Sequence, residues 1–286
     1  MSEVDLDHLR TWVGRERTLT DILTPFPARA LAATLDRTEL PVAGDALPPG
    51  WHWLYFLHTP RASDTGPDGH PNLDSAADTF LPPTPLRRRM WAAGTLEIER
   101  PLYLGREATR RSEIRDVQTK VGRSGPLVFI TLDHELRQDG MRCIREEQNL
   151  VYREIPDDDA PTSSGERASQ NADWSVAVVP DPVLLFRYSA LTFNGHRIHY
   201  DRSYAMGQEF YPALVVQAPL LATMLLELVR VQLPGAVLRE FRFRAVRPSF
   251  DTHPFTLNGT RSGNKLELWT ADEDRQLCVT ASARLA

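Results

Sequence analysis

The segment Leu191–Asp201, LTFNGHRIHYD, places Asn194, His196, Arg197, His199, Tyr200 and Asp201 within eleven residues of a chain that has eight histidines in all. Imidazole is the side chain whose unperturbed pKa lies near neutral pH, so a histidine here suits the work of a general base. Two histidines three residues apart, with Asp201 or Asp181 helping, also suit a divalent ion, although no third histidine lies close by in the sequence. The bland alternative is a turn: Asn194-Gly195 is a turn dipeptide, and the histidines would then merely cap it. The residue types alone leave base, ligand and turn all open.

The elements that must position this segment follow from the flanking pattern. An apolar run, VLLFRYSALTF, leads into it and reads as a strand. After it, Pro219–Leu233 (PLLATMLLELVRVQL) reads as a helix with Pro219 in its first turn. Thr223, Glu227 and Arg230 form its one thin polar stripe, so the helix must be wrapped by other structure. Beyond Pro234-Gly235, the runs AVLREFRFRAVRPSF, PFTLNGTRS, NKLELWTAD and QLCVTASARLA read as strands. The first half opens with an expected helix at 5–18 and a second over TPFPARALAATLDR, with Pro25 and Pro27 at its entrance. Trp51–Pro60 is an aromatic strand or buried loop, and residues 60–90 are a long loop rich in Pro, Gly and Asp. Four Gly-punctuated runs follow, GTLEIERPLYLG, EATRRSEIRDVQTKVG, GPLVFITLDHELRQ and MRCIREEQNLVYRE, which together predict an antiparallel meander.

Composition sets limits on function. The 286 residues are 42% hydrophobic and 25% charged, enough for one large or two ordinary domains with a real core. A net charge of −5 provides no global field for nucleic acid or an anionic membrane. Cys143 and Cys278 form neither a disulfide framework nor a CxxC site, which fits a reducing compartment. The opening MSEVDLDHLRTWVGRERT is acidic and has no apolar core, and no run of about 18 residues is free of charge. The expectation is a cytoplasmic protein. Pro156–Asp173 reads as a linker between residues 1–155 and 174–286, and its Asp157–Asp159 run as a solvated loop rather than a cation site.

The two meanders match in order. TLEIERPLYLGREATRRSEI resembles REFRFRAVRPSFDTHPFTLNG, and PLVFITLDHEL…MRCIREEQNLVY resembles KLELWTAD…QLCVTASARL. Two copies of one sheet-plus-helix unit are expected, an α+β double hotdog in which each antiparallel sheet wraps a central helix. At this point the chemistry-bearing segment resembles the R-specific enoyl-thioester hydratases, the MaoC-like family, whose motif is Ser-Gly-Asp-x-Asn-Pro-Ile-His. Asn194 falls on the motif's Asp, His196 on its Asn and His199 on its His; Gln217-Ala218 stand where His-Gly is usual. The Asn-x-His-Arg-Ile-His form, with FLPPTPLRRRMWAAG and WHWLYFL, looks most like the branch of hydroxyacyl-thioester dehydratase type 2 and mesaconyl-C4-CoA hydratase.

The resemblance implies reversible hydration of an enoyl thioester, with an acyl-CoA substrate and no metal or redox cofactor. His199 would be the base, and the Ala218 N–H at the helix entrance would hold the enolate oxygen, with Gln217 in support. An asparagine at 194 cannot carry a proton as the motif's Asp does, so it orients water, and either His199 works alone or His196 or Asp201 supplies the second group. Arg242 and Arg244 share one face of a strand and would meet CoA phosphates, or form an ordinary solvated face. Arg89, in the run Arg87–Arg89, would guard the substrate entrance. The first copy has LHTPRASDTGPDGHP but no Asn-x-His-x-x-His, so it is expected to have lost its site and to give space to the substrate. The acyl group would be short and possibly dicarboxylic, as in mesaconyl- or itaconyl-CoA. The contrasting hypothesis is a non-catalytic acyl-thioester binder of the same fold, against which the retained His199 argues. A hotdog thioesterase would want a carboxylate at the helix, and Glu227 sits too deep along it. Both a monomer and a homodimer fit two units per chain.

Overall fold

Alternation along the strands decides the architecture. In Gly125–Gln138 every second residue from Val128 to Gln138 is buried, and the others lie nearer solvent, as expected of a strand with one covered face. A computed structural model describes residues 4–72, 79–122, 125–155 and 165–286. It contains ten strands: β1 (Glu16–Ile22), β2 (Arg88–Ile98), β3 (Glu107–Gly122), β4 (Gly125–Gln138), β5 (Met141–Arg153), β6 (Trp174–Val178), β7 (Leu238–Ala245), β8 (Phe255–Ser262), β9 (Lys265–Ala271) and β10 (Leu277–Leu285). They form one sheet in the order β1-β3-β4-β5-β2-β7-β10-β9-β8-β6, with every recorded pairing antiparallel.

That order is a palindrome. The first five strands run 1-3-4-5-2 and the second five repeat the same pattern in mirror order. This is the internal repeat expected from the two meanders, and it makes the molecule a double hotdog. The two expected sheets are fused edge to edge. β2 pairs with β7 from Ala93–Arg244 to Glu97–Glu240. The junction is sealed by aromatic rings: Trp53 and Trp91 lie 5.2 Å apart and Trp91 and Phe243 5.7 Å. Gly94 is required there, because a Cβ on it would stand 2.6 Å from the Phe243 ring.

The helices are α1 (Leu6–Arg10), α2 (Pro25–Thr34), α3 (Pro182–Leu191), α4 (Arg202–Gly207) and α5 (Ala218–Gln232). The long apolar helix is as expected: every residue of α5 from Leu220 to Leu226 is buried, against β8, β9, β10 and β2. At about 1.5–3 kcal/mol for each buried Leu, this helix is a main source of the second unit's stability. The first unit fills the corresponding space with α2 and the buried 3-10 turn Trp51–Leu54.

Two local expectations are corrected. The helix expected at 5–18 is the short α1, after which Gly14 turns at φ 83°, and β1 alternates along ERTLTDI as it pairs with β3. The strand expected over VLLFRYSALTF is the helix α3. Asp181 accepts a hydrogen bond from Leu184 N at 2.8 Å and Pro182 stands in the first turn, so local capping decides a short apolar run whose periodicity is ambiguous. The Asp157–Asp159 run and the first half of the expected linker lie outside the described residues.

Candidate active site

The second unit's loop between α3 and α5 is built to fix one imidazole. The 3-10 turn Arg197–His199 follows His196. Val215 N donates to Ile198 O at 3.0 Å, and His199 Nδ1 lies 2.7 Å from Val215 O. A carbonyl only accepts, so His199 carries its hydrogen on Nδ1 and keeps a lone pair on Nε2. Burial, with the nearby His196 adding, lowers its pKa to about 3, so the ring is neutral at physiological pH. Val215 is two residues from Gln217, the N-cap of α5. The Ala218 N–H makes no backbone hydrogen bond among the described residues, and Ala218 is half-buried. The positive end of a 15-residue helix therefore opens beside His199.

The other expected site residues divide into two groups. His196 and Gln217 are both buried. Gln217 Nε2 donates to Leu185 O and to Ser189 Oγ, each at 2.9 Å, which ties α3 to α5; its Oε1 is buried with no protein partner among the described residues. Asn194 is a turn-former: its Oδ1 accepts from His196 N at 3.1 Å. Asp201 accepts from Tyr204 N at 3.0 Å, caps α4 and pairs with Arg197 at 2.7 Å, so its carboxylate is fully engaged. Arg242 and Arg244 are exposed on β7, on the face opposite the buried Phe241 and Phe243, and Arg242 pairs with Glu240. Glu227 pairs with Arg230 at 2.8 Å near the far end of α5.

Sequence reading assigned no chemistry to the first unit's loop, yet the structure lays that loop on the histidines. Residues 64–72 close on themselves, with Gly66 N bonded to His70 O at 2.7 Å and Asn72 N to Asp64 O at 2.8 Å. Gly69 and Gly195 meet backbone to backbone: a Cβ on Gly69 would stand 1.8 Å from Gly195 O. Arg197 N donates to Asp68 O at 2.9 Å. This brings His70 against His196, ring centroids 4.1 Å apart, and His196 stands edge-on to His199 at 5.4 Å. His70 Nδ1 lies 2.9 Å from Asp68 Oδ2. Burial, then the charges of Arg89 and His196, holds His70 well below the usual imidazole range, against the opposing pull of Asp68.

A third layer comes from β2. His196 Nε2 lies 3.1 Å from Glu209 Oε1, Arg88 Nε donates to Glu209 Oε2 at 3.1 Å, and Arg88 also donates to the Glu209 carbonyl. The Arg88 guanidinium lies 4.3 Å from the centre of the Tyr211 ring. Arg89, the next residue, is half-buried and makes no ion pair with any described carboxylate. The arginine run and the Asp-x-His of GPDGHP were visible in the sequence; which surface they face was not.

A neutral imidazole with a free Nε2 at the open end of a buried helix, inside a double hotdog, defines the class of the hotdog hydratases and dehydratases. The family model of hydroxyacyl-thioester dehydratase type 2 matches residues 50–251, and the chain belongs to that family. It is 42% identical over 279 residues to mesaconyl-C(4)-CoA hydratase of Chloroflexus aurantiacus, covering 96% of each chain. It is 30% identical to the mitochondrial hydroxyacyl-thioester dehydratase type 2 of Schizosaccharomyces pombe, covering 90% of this chain and 94% of that one. Among solved structures, a MaoC-like dehydratase from Phytophthora capsici superposes with a TM-score of 0.68 at 14% identity, over 99% of this chain and 98% of that one. A Mycobacterium tuberculosis protein with a double hotdog fold gives 0.58 at 12% identity, over 96% of each. These two structures bear on the fold alone.

Proposed function

We propose that the chain is a hydro-lyase that adds water to, and removes it from, the α,β double bond of a short enoyl-CoA, with a dicarboxylic acyl group of the mesaconyl or itaconyl type. The observation that carries this reading is His199: its Nδ1 is pinned to Val215 O and its lone pair is free beside the open end of α5. In hydration, His199 Nε2 takes a proton from water as the water oxygen bonds to the β-carbon. The π electrons move toward the thioester oxygen, and the Ala218 N–H and the helix dipole hold the enolate that forms. Gln217 Oε1, buried and unpartnered, accepts the second hydrogen of the attacking water. No step calls on a metal or a redox cofactor.

The dicarboxylic character rests on Arg89. In a C4-linked mesaconyl thioester the free carboxylate sits on the β-carbon, so its partner must lie next to the base. Arg89 is half-buried, has no carboxylate partner among the described residues, and its charge acts on His70. Arg242 and Arg244, exposed on the opposite sheet face, are better placed for solvent than for CoA phosphates. A homodimer is part of the reading. It is supported by Phe26 on α2 and Val183 and Phe186 on α3, which are exposed apolar side chains on two helices that touch each other.

The test follows loss of enoyl-thioester absorbance with crotonyl-, mesaconyl- and itaconyl-CoA. His199→Ala should lower kcat by about a hundredfold or more. Arg89→Gln should raise KM for the dicarboxylic thioesters by about tenfold or more and leave crotonyl-CoA nearly unaffected. Binding of the thioesters without turnover would favour the non-catalytic reading.

A further inference from the structure

The proposed chemistry leaves one requirement unmet: a proton for the α-carbon. Asn194 cannot hold one, and its side chain is committed to the His196 N–H. Asp201 is committed to Arg197 and the cap of α4. His196 is held at Nε2 by Glu209, whose charge is already shared with Arg88. What remains is the first unit's loop.

We propose that His70, backed by Asp68, is the second proton-transferring group of this site, so that the first unit supplies a catalytic residue to the second. This rests on the reading of the chain as a hydratase. His70 has the arrangement the task needs. Its Nδ1 faces the Asp68 carboxylate at 2.9 Å, which stabilises the ring when it is charged and leaves Nε2 as the working atom. The carboxylate is itself held: Asp68 Oδ1 accepts from His70 N at 3.0 Å. The loop cannot drift from the site, because Gly69 is wedged on Gly195 and Asp68 O and Pro67 O both accept from Arg197. His199, by contrast, has only a neutral carbonyl behind its Nδ1. His199 thus has only a neutral acceptor behind it and His70 a carboxylate, so of the two rings His70 is the one whose charged form has a partner.

The step balances. One water proton goes to His199 Nε2 as the new C–O bond forms, and the electron pair of the double bond moves to the α-carbon and thioester oxygen. The His70 imidazolium gives its Nε2 proton to the α-carbon, the C–S bond remains intact, and the thioester carbonyl re-forms. After product leaves, the proton on His199 returns to His70; the His196 ring lies between the two, 5.4 Å and 4.1 Å from them. Burial disfavours the His70 imidazolium most, and the Arg89 charge adds to it; a substrate carboxylate on Arg89 would offset that second contribution and favour the charged donor.

The test uses the full chain. His70→Ala should lower kcat for hydration by about a hundredfold with KM changed by less than about threefold, and added imidazole should restore part of the loss. In heavy water, its exchange of the α-hydrogen of the 3-hydroxyacyl product should fall in parallel. Asp68→Asn, which keeps the loop's hydrogen bonds, should lower kcat by about tenfold, and it decides the matter if His70→Ala does not fold. Unchanged kcat in a folded His70→Ala, with His199→Ala inactive, would overturn this proposal and leave the hydratase reading standing. A wild-type chain inactive on every thioester would instead overturn the hydratase reading itself. A stoichiometric divalent ion in the purified protein, lost in both variants, would also overturn the proton-transfer role, since Asp68, His70 and His196 present ligand atoms within 4.8 Å of one another.

Discussion

Asn194, which falls on the Asp of the motif this segment resembles, shapes a turn in the structure. Its Oδ1 accepts the His196 N–H at 3.1 Å and shapes the turn that aims His196 at Glu209. An aspartate offers the same acceptor, so Asn194→Asp should keep the fold and retain kcat within about threefold. Asn194→Ala should lose about 1 kcal/mol of stability with the turn bond, and thermal melts with initial rates separate the two. Aspartate at 194 that raised kcat tenfold or more would show that the position still reaches the reacting atoms. At this scale the sequence singled out His199 through the motif it resembles and Gln217 through its place at the entrance of a long apolar helix. Asp201, a supporting candidate whose commoner use is helix entry or a salt bridge, has that commoner use here: it caps α4 and pairs with Arg197.

At the scale of elements, eight of the ten strands were legible, while β1, β6, α3 and α4 were not. β3 and β4 coincide with Gly-bounded runs of 16 and 14 residues, long enough for their alternating stretches to show. α3 has ten residues, a nearly featureless apolar run and a cap that outweighs pattern. Residues 64–72 fall within the long loop read over 60–90, but the partner of that loop was not legible, since Gly69 and Gly195 are far apart in sequence and their contact is backbone on backbone. Gly69→Ala tests that contact. Gly69 has φ 89° and no room for a methyl group, so the loop must leave the histidines. Activity should fall at least tenfold with the melting temperature lowered by only a few degrees, because few core contacts are lost. A fully active Gly69→Ala would mean that the loop's position is irrelevant to turnover.

For the whole molecule, pH reads out the buried groups. Burial lowers His199 to about 3 and His134 to about 4, below the value near 6.5 of an unfolded histidine. Between those limits the unfolded chain binds more protons, so stability is complete above about pH 6.5 and is lost as pH falls. Glu146 is pushed up by burial, yet its hydrogen bonds to His52 and Trp53 and the charge of His52 bring it down to about 2. Its contribution is full above about pH 4.5 and lost below that, in the same direction. The melting temperature should therefore be level from about pH 7 to 8 and fall steadily through pH 6 to 4. His134→Gln should flatten the upper part of that fall, sparing on the order of 2–3 kcal/mol. A melting temperature that rose toward pH 5 would contradict the buried, neutral assignment. The palindromic sheet has one more consequence, which concerns ancestry and arithmetic. Two equal units side by side have room for two equivalent sites, but here one unit's crossover is spent as a wall and reagent shelf for the other. On the proposed reading each chain turns over one acyl group at a time, and neither half can be cut away, exchanged or left to drift without the other registering the loss.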